Sequence, residues 1–97
     1  MVGAMTFWIE NREPGTLHLF GDLDFATHER LAESLGATSG PVTLDMAAVS
    51  FMDSSGLRVI LMRLKEGPVT IQSPNQRLVR LLELFGLTQI DGLSVSR

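Results

Sequence analysis

The reactive groups of this 97-residue chain gather in two short stretches, Asp22-Leu23-Asp24 and Asp53-Ser54-Ser55-Gly56, with Asp45 closing an apolar run between them. Several carboxylates together suit Mg²⁺. A receiver-type phosphoacceptor or an Asp-x-Asp phosphatase would use such a cluster, and Asp22-Leu23-Asp24 has the second spacing. Against both, the chain is short for either fold, no lysine follows a strand late in the sequence, and Thr27 is wrongly spaced from Asp22-Leu23-Asp24. A serine nucleophile would need a histidine base, and neither His18 nor His28 has a placement tied to Ser54. The plain reading of Ser54-Ser55 is structural, because a helix N-terminus selects Ser, Asp and Gly to satisfy its orphan N–H groups.

The surrounding pattern places these residues at the carboxyl ends of strands, where ligands and reactive groups collect in parallel sheets. Phe7-Trp8-Ile9 and Thr16 to Phe20 predict a hairpin, with Asn11 to Gly15 as its turn and His18 as an exposed strand residue. Gly21 to Asp24 breaks the alternation. His28, Leu31, Ala32 and Leu35 then mark an amphipathic helix capped by Asp24 or Thr27 and ended by Gly36. Val42 to Met46 predicts a short buried strand, and Ala47 to Ser50 leads from it to the Asp53 loop. Leu57, Ile60, Leu61 and Leu64 form the core stripe of the next helix, with Arg58, Met62 and Lys65 on another side. Val69-Thr70-Ile71 predicts a further parallel strand. A third helix follows, with Ser73 as cap, Pro74 in its first turn and Leu78, Leu81, Leu82 and Phe85 as its stripe. Leu93 and Val95 suffice for a short edge strand. The expected fold is α/β, a small mixed sheet of a hairpin plus parallel strands with helices largely on one side.

Residues 1–97 fit one domain, with 1–5 as a loose N-terminal extension. At 44% hydrophobic and 20% charged residues the chain is ordinary for a globular protein and too apolar for disorder. A net charge of -3 supplies no basic field, so nucleic acid is not an expected partner. Without cysteine there is no disulfide, thiolate metal site or thiol nucleophile. No apolar run approaches the ~20 residues of a membrane span, and no leader pattern opens the sequence, so a cytoplasmic location without direct membrane insertion is expected.

The stretch Phe51-Met52-Asp53-Ser54-Ser55-Gly56-Leu57 resembles the signature of the STAS domain as found in anti-sigma factor antagonists. Leu19-Phe20-Gly21-Asp22-Leu23-Asp24 is similar to the family's Gly-Glu-Leu-Asp segment, and Ser73-Pro74 with Arg77-Leu78 and Phe85-Gly86-Leu87 to its third helix. The resemblance runs from about residue 16 to 90, in the expected order. It implies a regulatory binding protein with no enzymatic activity and no cofactor. Its partners would be an anti-sigma factor with serine-kinase activity and a serine phosphatase, with Ser54, or alternatively Ser55, as the phosphorylated residue; a kinase brings its own base and metal, so the loop need only present a hydroxyl. The expected partner surface combines Asp22, Asp24, Asp53, Ser54, Ser55, Gly56, Arg58 and Met62. STAS domains also serve as cytoplasmic subunits of lipid-transport ABC complexes, where the phosphorylatable serine is commonly replaced. The family's usual further C-terminal helix has no counterpart after Asp91-Gly92.

Overall fold

The computed structural model describes residues 7–96, so the extension expected at 1–5 lies outside them. Its elements are β1 (Phe7–Glu13), β2 (Thr16–Leu23), α1 (His28–Gly36), β3 (Val42–Met52), α2 (Ser54–Arg63), β4 (Val69–Gln72), α3 (Gln76–Leu84) and β5 (Leu93–Ser96), with single 3-10 turns at Leu64–Glu66 and Leu87–Gln89. The sheet order is β1-β2-β3-β4-β5. β1 and β2 are antiparallel, and every later neighbour is parallel. Three successive crossovers of one hand, each stepping one strand in the same direction, put all three helices on one face.

Burial follows from that arrangement. Leu17, Leu19, Val42, Leu44, Met46, Val69, Ile71 and Leu93 point under the helices and are buried with Leu31, Leu35, Leu57, Ile60, Leu78 and Leu82. Alternate residues line the open face, as a side-chain period of two requires. There Trp8 stacks on Phe20 at 4.9 Å, and the Arg12 guanidinium lies over the same ring. Arg12 also bonds Glu10 and holds its carboxyl below the usual range.

Several expectations about individual residues are corrected here. The hairpin turn is Pro14-Gly15 alone, and Asn11 to Glu13 extends β1 with an irregular register. His18 is not exposed: its ring nitrogens lie 2.9 Å from Glu13 and 3.1 Å from Asp45. Gly21 to Leu23 continues β2, and Ala47 to Ser50 continues β3. Their patterns look broken because the β2–β3 register shifts twice, between His18 and Phe20 and between Gly21 and Asp22. Each shift gives β3 an extra residue, which lets Val49 and Met52 point inward despite the broken alternation. Thr27 occupies the cap position of α1 but makes no capping bond, and Ala32 is exposed. The cap of α3 is Asn75, not Ser73, which adopts φ 56°. Phe85 is 57% exposed, and Val79 takes the buried place on α3 instead.

Candidate functional site

β3 runs 11 residues while β4 has four, so beyond Asp45 β4 no longer flanks β3; β1 stays beside β2 as far as Phe7 opposite Gly21, and β2 and β3 end with Leu23 opposite Met52. The Asp53 loop stands at the tip of β3, just beyond this last pair. Asp45 does not join it. It sits mid-strand beside His18, on the order of 20 Å short of the tip at ~3.3 Å per residue. The expected gathering of Asp45 with the other three carboxylates is therefore not formed, and among the described residues no group of three or more potential ligands could hold a metal ion.

Asp22, Asp24 and Asp53 do come together, and the structure gives two of these carboxylates local work. Asp53, in extended conformation, is the cap of α2: its Oδ1 accepts from the backbone N–H of Ser55 at 2.8 Å and of Gly56 at 3.4 Å. Its Oδ2 accepts from Phe25 N–H at 3.2 Å, and its own N–H donates to Leu23 O. One side chain thus fastens the helix entrance to the turn before α1. Asp24 Oδ1 accepts from Ala26 N–H, while buried Thr27 donates its hydroxyl to Asp22 O at 2.7 Å. That turn is held from inside.

Because Asp53 does the capping, neither serine has to. Ser54 is exposed at the first position of α2, and its hydroxyl makes no hydrogen bond among the described residues. Ser55 is half-buried beside it. Gly56 is buried beneath the loop, where a Cβ would meet Leu23 Cγ at 2.7 Å and Met52 Cγ at 3.0 Å. It lets α2 approach the strands and takes no part in the outer surface. Ser54, Arg58 and Met62 recur every four residues and form one exposed line down α2. Arg58 makes no ion pair among the described residues.

Two aromatic residues of this surface escape sequence reasoning. Phe25 is 77% exposed and stacks on His28, and Phe51 is 51% exposed at the end of β3. Phe51 could have been noticed, since it neighbours Met52 in a strand that can turn only one of them inward. They give the acidic tip an aromatic rim, and aromatic residues are enriched at protein-binding surfaces. Among the described residues no helix is long and apolar enough to cross a membrane.

Comparison with known proteins agrees with this geometry. Residues 9–94 match the family model described as "Mlab, STAS domain". The anti-sigma F factor antagonist of Lysinibacillus sphaericus is 30% identical over 95 residues, covering 86% of this chain and 81% of the relative. Among solved structures, unphosphorylated SpoIIAA, an anti-sigma factor antagonist, superposes with a TM-score of 0.65 at 22% identity, over 94% of this chain and 87% of that one. The phosphorylated form of Bacillus SpoIIAA gives 0.63 at 23% identity, over 94% and 91%. The α/β sheet and its loop define a STAS domain. The chain belongs to that family, and its relative at 30% identity places it with the anti-sigma factor antagonists.

Proposed function

We propose that this protein binds an anti-sigma factor with serine-kinase activity while Ser54 is unmodified, and that phosphorylation of Ser54 releases it. A serine phosphatase would restore the binding form. The observation that carries this reading is the division of labour at the α2 entrance: Asp53 caps the helix, which leaves the exposed Ser54 hydroxyl without a structural task. Half-buried Ser55 is the less accessible of the two. The partner would contact the line of Ser54, Arg58 and Met62, the acidic pair Asp22 and Asp24, and the aromatic rim of Phe25 and Phe51.

Phosphate adds about -1.5 to -2 charge. The α2 dipole favours it by ~0.3–1 kcal/mol, and repulsion from the neighbouring carboxylates opposes it by on the order of 1–3 kcal/mol. These small opposing effects leave the fold largely unchanged. The switch therefore acts across the interface. A partner surface shaped for a neutral hydroxyl would have to bury a dianion without a counter-charge, which costs several kcal/mol, or about a hundredfold or more in affinity.

A second reading, a cytoplasmic STAS subunit of a lipid-transport ABC complex, has one observation in its favour: the matching family model is described by Mlab and not by an antagonist. Tagged wild type and Ser54→Asp, recovered from the native cell and analysed by mass spectrometry, separate the two. Loss of a kinase-like ATPase by Ser54→Asp alone supports the phosphoswitch. If both proteins retain the same transport ATPase, Ser54 is no switch and the second reading stands.

A further inference from the structure

The last turn of α2 buries a charge that has no counter-charge among the described residues. Arg63 is only 5% exposed. Its Nη2 donates to Gly40 O at 2.7 Å and, at 3.4 Å, to Thr38 Oγ1, while Nε and Nη1 have no hydrogen-bond partner among the described residues. Among the described residues no carboxylate lies within ion-pair distance of it. A buried guanidinium is normally paired or fully hydrogen-bonded, because its unpaired burial is costly. Arg63 also lines a groove of about 440 Å³ between α1 and α2, whose other walls include Ala32, Leu35, Val59 and Met62, with Glu66 also on its lining.

We propose that this groove is a binding site for a small monocarboxylate carrying an apolar tail, with Arg63 receiving the carboxylate. The proposal does not depend on the reading of Ser54. The charge decides the head group: one guanidinium matches one negative charge, and the Glu66 carboxylate disfavours a phosphate dianion. The walls decide the tail, since the volume far exceeds a carboxylate and falls in the range of small-molecule pockets. Nε and Nη1 are shut off from solvent in the unliganded protein, so the head group reaches them when a wall side chain turns aside. Met62, 54% exposed and unbranched, is the wall residue freest to do so.

The test is titration of the isotope-labelled full chain with octanoate, following the Arg63 Nε–H resonance and the methyl groups of Leu35, Val59 and Met62. Octanol, acetate and inorganic phosphate serve as comparisons. Saturable shifts confined to the groove are expected, with octanoate binding at least roughly tenfold more tightly than any of the three. Arg63→Gln removes the charge but risks the fold, so Ala32→Phe, which fills the groove from an exposed position, is measured beside it. Ala32→Phe should weaken octanoate by about tenfold or more with the fold intact. Absence of shifts at millimolar octanoate, shifts centred on the exposed Leu84 and Phe85, equal binding of octanol, or undiminished binding by folded Ala32→Phe would each overturn the proposal.

Discussion

The entrances of α2 and α3 solve one problem with nearly the same residue and reach different ends. Both caps are extended, Asp53 at φ -114° and ψ -172°, Asn75 at φ -72° and ψ 173°. Each offers a side-chain oxygen to the first turn: Asp53 to Ser55 and Gly56, Asn75 to Leu78. The difference is the second atom of the head group. Asn75 donates its amide to Val49 O, whereas Asp53 accepts from Phe25 N–H. The third helical position differs as well, Gly56 in α2 and the buried Leu78 in α3. One helix is drawn close to the strands and the other is held off by a side chain. The Asp-Ser-Ser-Gly stretch is thus a support in its first and last residues, and its middle is what it presents.

The largest test of this contrast exchanges the packing. Leu78→Ala should leave a cavity and cost about 3 kcal/mol of unfolding free energy in denaturant melts. Gly56→Ala should cost about 2 kcal/mol by the opposite route, since its Cβ would press on the Leu23 branch point, which cannot swing away. If Gly56→Ala were neutral, close approach would not be the reason for glycine. Next come the caps. Asp53→Asn keeps the oxygen facing the helix but sets an amide against the Phe25 N–H, and Asn75→Asp loses the donor to Val49 O. Each should cost about 1–2 kcal/mol, and hydrogen exchange should report the first at Phe25 and the second near Val49. Smallest is Ser54→Asp, expected to change stability by no more than ~0.5 kcal/mol, because position 54 carries no structural bond. A large loss there would make Ser54 part of the support and remove the basis for the switch.

The core was readable in the sequence wherever periodicity was clean. The stripe of Leu57 and Ile60 and the alternation of Leu17 with Leu19 both lead to buried positions. What periodicity alone concealed was register. Two irregularities in β3 disguise Ala47 to Ser50 as a connection and leave Asp45 mid-strand. Capping was readable in kind but not in place, because Ser73 and Asn75 are both competent caps and only the path of the chain decides between them. The paired serines were ambiguous for the same reason, until Asp53 took the bonds either could have accepted. Arg63 was invisible, since nothing in the sequence pattern distinguishes a charge turned inward at the end of a helix from one turned out.

The order of strands in the sheet repeats their order in the chain, and this bears on how the protein emerges during synthesis. Each new strand joins the one made just before it, so contacts form as their residues appear, and the Asp53 loop is complete once α2 has been made. Until Val69–Gln72 arrives, however, the β3 edge from Val42 to Asp45 has no neighbour. An unpaired edge rich in apolar residues is prone to join a foreign strand. The interval between α2 and β4 is therefore one in which the nascent chain is open to misassembly, and a ribosome pause there would lengthen the exposure.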